Sequence, residues 1–155
     1  MNGFISYAKD DHGMCQAFAR HLGSSGDHGG AKFWWDDSLR GGHDWERKIT
    51  DAIEHAEVFL LLVSSAFLAS TYIRETEEPL MRARAARCEG LIVSVILKSC
   101  YWEPRLGRYQ VLPSFRGRLK PIRKWGARDE AYDEAHRQLL AAIREHLAAR
   151  RGGGA

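Results

Sequence analysis

What most constrains the fold of this chain is its alternation of short apolar runs with amphipathic stretches. Gly3 to Tyr7, Ala31 to Trp35, Val58 to Ser64 and Leu91 to Lys98 read as strands, with a weaker run near Leu119 to Ile122 as the last. Between them Met14, Phe18 and Leu22 recur every four residues, as do Trp45, Ile49 and Ile53 with Ala52 and Ala56 beside them, and each set makes one buried helical stripe. A closing helix carries Tyr132, His136, Leu139, Ile143 and Leu147 on one side, with Asp129 or Asp133 near its start, which places His136 in the core. Strands alternating with helices imply a parallel sheet wrapped on both faces. In 155 residues the pattern predicts a five-stranded doubly wound sheet, order 2-1-3-4-5, because a closed barrel needs about 250 residues.

In that topology a crevice opens at the carboxyl ends of strands 1 and 3. Ser6, Tyr7 and Lys9 follow the first strand, and Ser64 and Ser65 follow the third. Hydroxyl donors and a tyrosine ring are therefore expected to converge there.

With 45% apolar and 28% charged residues, the chain reads as one globular domain over residues 1–150, followed by a Gly-rich tail or the start of a linker over 151–155. The longest apolar run, Val58 to Val63, has six residues, whereas a spanning helix needs about 20. No basic-then-apolar leader precedes the first strand, and Cys15, Cys88 and Cys100 have no Cys-x-x-Cys spacing, so a cytoplasmic setting is expected. Residues 1–80 carry 7 basic and 13 acidic side chains and residues 81–155 carry 16 and 7, so the halves differ in sign. The basic stretch Arg82 to Arg128 would attract an anion or the acidic half of another copy. Gly23 to Gly30 reads as a flexible loop, since it precedes a strand and Lys32 lacks phosphate-loop spacing.

Several chemistries lack their signatures. The turn after the first strand, Tyr7 to Gly13, has no G-x-G-x-x-G, no G-x-S-x-G elbow occurs, and the seven histidines show no ligand spacing. Neither a metal nor a tightly held cofactor is expected.

Three segments stand out. Phe4-Ile5-Ser6-Tyr7 with Asp10 and Asp11 follows strand 1, and Trp34-Trp35-Asp36-Asp37 through Arg40-Gly41-Gly42 to Trp45 and Ile49 follows strand 2. After strand 3 comes Ser64-Ser65, Phe67-Leu68 and then Ser70-x-Tyr72-Ile73-x-x-x-Glu77-x-Pro79. With Val95 to Trp102 and Gln110 to Pro113, they make nearly the whole chain resemble the TIR (Toll/interleukin-1 receptor) domain, prokaryotic branch. The resemblance implies a flavodoxin-like α/β fold, with Asp36 to Asp44 as the mobile loop of the family. It also implies one of two roles: cleavage of the nicotinamide–ribose bond of NAD+, or docking between TIR modules.

For the enzymatic role the resemblance implies Glu77 as the catalytic carboxylate. Ser6 and Tyr7 would flank the ribose or nicotinamide, Tyr72 would bind substrate, Asp37 and Trp45 would line the pocket, and Arg40 would neutralise phosphate. Glu75 and Glu78 flank Glu77, and successive helical positions diverge by about 100°, so only one of the three aims squarely at the crevice. Near a helix start all three also have a plain role, favourable interaction with the helix dipole. Pro79 marks a kink. Gly3 stands where the family commonly has a branched apolar residue, which makes strand 1 marginal in isolation.

The leading expectation is an NAD+ hydrolase or cyclase, with NAD+ as substrate rather than cofactor, activated by self-assembly into filaments through the Asp36–Asp44 loop, in prokaryotic defence. A sensor domain, fused or separate, would supply the trigger. The alternatives are a non-enzymatic adaptor and, third, a nucleic-acid binder using Tyr109, Phe115 and Trp125 among the basic residues.

Overall fold

The computed structural model describes residues 1–24, 31–36 and 43–153. Its centre is a five-stranded parallel sheet in the order β2-β1-β3-β4-β5. The strands are β1 (Asn2–Tyr7), β2 (Lys32–Trp34), β3 (Val58–Val63), β4 (Leu91–Ile96) and β5 (Gln110–Leu112). Every residue of β3 is buried, as an uninterrupted apolar run requires when helices cover both faces.

Alternation along the strands divides the core in two. Ile5, Leu60, Leu62, Val93 and Val95 face helices α1 (His12–Gly23) and α6 (Arg128–Gly152), where Phe18 stacks on Tyr132 at 5.6 Å. Phe4, Phe59, Leu61, Val63 and Ile96 face α2 (His43–His55), α3 (Ser65–Ala69), α4 (Glu78–Ala86) and α5 (Glu103–Leu106) through Ile49, Ile53, Phe67, Met81 and Leu106. His136 is buried within α6, and burial pushes its imidazole below the ordinary value, as suits a packed side chain.

The last strand departs from expectation. Leu119 to Ile122 is not the fifth strand; that place is taken by Gln110–Leu112, paired with Val93 to Val95. Leu119 instead ends a two-stranded antiparallel hairpin, β6 (Ser114–Phe115) and β7 (Arg118–Leu119), which turns through Arg116 and Gly117, both at positive φ. Ile122 opens a short 3-10 turn and is apolar because it packs against the α1/α6 side of the sheet. The expected glycine-rich loop lies largely outside the described residues.

The glycine in β1 has a steric reason. A Cβ at Gly3 would lie 2.4 Å from the ring of Phe33, its register partner on β2. The bulk that a branched residue would supply on β1 thus comes from the adjacent strand, and β1 pairs with β2 over Asn2 to Phe4 and with β3 over Gly3 to Tyr7. Gly3→Val is expected to lower stability by about 1–3 kcal/mol through overpacking. A chemical-denaturation cycle with Phe33→Ala should show the double variant losing less than the sum of the single losses.

Candidate active site

The segment after α3 carries the decisive backbone feature. Residues Ile73–Glu77 form a π-helical turn, closed by the Glu78 N–H donating to the Ile73 carbonyl. Pro79, which has no N–H to donate, sits in the first turn of α4 directly after it. The irregularity expected at Pro79 is therefore this widened turn, which inserts a residue into the helical register and sets the directions of the acids around it.

Those three acids have three different surroundings. Glu75 is exposed. Glu78 is buried but neutralised: Arg105 donates to its Oε1 through Nε at 2.8 Å and also through Nη2, and Arg82 reaches Oε2 at 3.3 Å. Glu77 is 5% exposed and turns toward the carboxyl end of β1, where the Ser6 hydroxyl donates to its Oε1 at 2.7 Å. Among the described residues no cation pairs with it. Burial pushes its carboxyl from an ordinary 4.5 up to about 7; the Ser6 bond works against this, and Asp36 and Glu78 add to it.

Aromatic side chains frame this carboxyl. Tyr72 immediately precedes the π turn, and its ring packs on Trp45 from α2, centroids 4.9 Å apart and planes 35° apart. The Trp45 indole N–H donates to Asp36 Oδ2, and the Tyr7 hydroxyl donates to the Asp36 carbonyl. Tyr7 also meets Trp35 edge-on at 6.1 Å. Asp36 is thus held from β1 and from α2 at once. Burial, then Glu77, Glu46 and Asp36, push the Tyr72 phenol up to about 12, so it keeps its proton throughout the physiological range.

Of the residues singled out from the sequence, Ser6 and Glu77 are joined by a hydrogen bond, Tyr72 and Trp45 by ring packing, and Tyr7 meets this group through Asp36. Asp37 and Arg40 lie outside the described residues. Lys9 and Ser65 are exposed and do not join the cluster. Ser64 accepts from the Phe67 N–H at 3.1 Å, capping α3, and donates to Asp11, which Lys98 also meets at 2.9 Å. Asp36 was missed as an anchoring group; the signal for it is a tryptophan nine residues on, close enough to reach back. Tyr109, Phe115 and Trp125 have cations of this chain over their rings, Arg82, Arg116 and Lys120 at 4.6–5.4 Å. Among the described residues no group of three potential ligands could hold a metal ion, and no helix is long and apolar enough to cross a membrane.

Residues 4–140 match the sequence family described as TIR domain. The chain belongs to the TIR family. The family includes NAD-cleaving enzymes, and TIR domains self-associate. This TIR domain is 31% identical over 143 residues to the uncharacterized protein y4lF of Sinorhizobium fredii, covering 92% of the present chain and 42% of that protein. It therefore spans less than half the length of that relative. No solved structure matches it.

Glu77 and Glu78 predict opposite responses to neutralisation. Folding holds on Glu77 a proton that the unfolded chain releases, so its ionisation erodes stability as pH rises from about 4.5 to about 7 and the penalty is complete above that. Glu77→Gln, which keeps an acceptor for Ser6, is expected to match wild type near pH 4 and to exceed it by about 3 kcal/mol at pH 8. Glu78→Gln leaves Arg105 and Arg82 without their counter-charge and is expected to lose about 2 kcal/mol at pH 8. Urea unfolding at the two pH values measures both.

Proposed function

We propose that this TIR domain cleaves the bond between nicotinamide and ribose in NAD+, with Glu77 as its catalytic carboxylate and self-association as its activator. The observation that carries the reading is a buried carboxyl with a hydroxyl partner and, among the described residues, no cation beside it, at the carboxyl end of a parallel strand. Such a group is costly for the fold alone, and a cationic ligand offsets the cost. Nicotinamide in NAD+ is a pyridinium and supplies that charge.

The chemistry asks little of the protein. The C–N glycosidic bond breaks with its electron pair moving to the ring nitrogen, so nicotinamide leaves neutral and needs no general acid. Positive charge passes to the ribosyl carbon and ring oxygen, and ionised Glu77 beneath the sugar stabilises that oxocarbenium ion. Water then adds to the carbon and loses a proton, giving ADP-ribose; capture by a nucleophile of the same molecule would give a cyclic product. Ser6 orients the carboxylate, while Tyr7, Trp45 and Tyr72 supply aromatic surface for the departing ring, with Asp37 and Arg40 as further substrate contacts. The opposite charges of the two halves of the chain favour head-to-tail contacts between copies, which when open build filaments. Depletion of NAD+ or release of a nucleotide signal in a prokaryotic defence response fits that design, in the cytoplasm where NAD+ is held.

Nicotinamide release from NAD+, followed by chromatography at low and very high protein concentration, tests the reading. Activity is expected to rise more steeply than protein concentration and to fall at least about 10³-fold in Glu77→Gln. The ionised carboxylate is the working form, so kcat/KM should increase with pH through about 7. Ser6→Ala removes the bond that stabilises the anion and should move that ionisation upward. Intact NAD+ at every concentration, clustering included, would leave a docking module.

A further inference from the structure

We propose that the Tyr72 hydroxyl reads the carboxamide oxygen of the nicotinamide ring, making this residue a determinant of which cationic ring the site accepts. The inference rests on the reading of the site as one for NAD+. The hydroxyl oxygen of Tyr72 is fully covered and, among the described residues, has no hydrogen-bond partner. Every other hydroxyl or indole donor placed in the cluster is engaged: Ser6 donates to Glu77, Tyr7 to the Asp36 carbonyl, and Trp45 to the Asp36 carboxylate.

The surrounding charges say what kind of atom is missing. Glu77, Glu46 and Asp36 each act on the Tyr72 phenol electrostatically, so the neighbourhood carries negative charge. A ligand atom that donates is served by those acids. An atom that only accepts finds among these side chains one uncommitted donor, the phenol. A cationic ring with an amide carbonyl satisfies both demands, its charge meeting the acids and its oxygen meeting Tyr72. The ring is anchored for the task by its packing on Trp45 at 4.9 Å, and it sits at the entry to the turn that carries Glu77. A ligand reaching the hydroxyl must displace what covers it, and the bond it forms there replaces none that the free protein makes. A site built around such a donor discriminates strongly against analogues that lack the acceptor.

The test uses binding, which does not depend on turnover. Nicotinamide methylated on its ring nitrogen and plain N-methylpyridinium carry the same charge, but only the first has the amide oxygen. Titration calorimetry or NMR on the full chain should show wild type preferring the first by about 10- to 50-fold, and Tyr72→Phe, which retains the ring, showing a preference under about threefold. In parallel, kcat/KM of Tyr72→Phe for NAD+ should fall by about the factor lost in binding, and by more than it falls for the NAD+ analogue with an unsubstituted pyridinium. An unchanged preference in Tyr72→Phe, no preference in wild type, or no binding of either cation overturns the proposal. A preference that depends on Tyr72 in a protein that never releases nicotinamide upholds the ring-reading role and overturns the hydrolase reading instead.

Discussion

The contact between Ser6 and Glu77 holds together the parts on which the site depends. Ser6 is the penultimate residue of β1, locked in register with Leu61 on a strand buried along its whole length, and it cannot shift without disturbing the sheet. Glu77 closes a π-helical turn, a local geometry that persists only when its surroundings over-determine it. The 2.7 Å bond between them ties the central sheet to the π-helical turn. It also ties stability to chemistry. Burial raises the carboxyl toward neutrality, so the charged form that a cationic ligand would meet is the form the fold tolerates least.

A second frame holds the opposite side. Asp36 accepts from Tyr7 at its carbonyl and from Trp45 at its carboxylate, so the end of the β2 segment is tied to β1 and to α2. Trp45 then packs on Tyr72, and Tyr72 leads into the turn of Glu77. The chain of contacts from Ser6 through Glu77, Tyr72, Trp45 and Asp36 back to Tyr7 links four elements distant in sequence. Ring packing with orienting hydrogen bonds is stiffer than apolar contact alone, and stiffness is what a site must have to hold a carboxylate near a developing charge.

The strands β1, β3 and β4 were legible in the sequence because they are contiguous apolar runs, and the helices because their apolar residues recur at helical spacing; both signals are local. β5 was not, since a three-residue edge strand with only Val111 and Leu112 apolar has its identity from pairing with β4, a contact between distant segments. Ile122 misled for the complementary reason: it is apolar on account of what it packs against. At the site, Pro79 announced an interruption in the helix but not its form, because a kink and a widened turn remove the same bond. The neighbouring Asp36 and Asp37 are indistinguishable by composition, and the choice of Asp36 as anchor depends on an indole reaching back from α2. That the Tyr72 hydroxyl lacks a partner among the described residues is a property of the assembled structure alone.

Glu77 and Glu78 show why residue type is a poor guide to role. They are adjacent, chemically identical and equally buried, at 5% exposure each. The helical twist separates their directions by about 100°, enough to send one toward β1 and the other toward α5. Toward α5 lies Arg105, whose guanidinium also donates to the Leu68 carbonyl at 2.8 Å and so fixes α5 to α3 through a compensated charge. Toward β1 lies a serine, which orients a charge without cancelling it. Like-signed charge on Asp36 and Glu78 adds to the burial of Glu77, offset in part by the Ser6 bond, and among the described residues no cation pairs with this acid. The division between a carboxylate paired with arginine and one held only by a hydroxyl follows from what each one faces, and the π turn helps decide what each one faces.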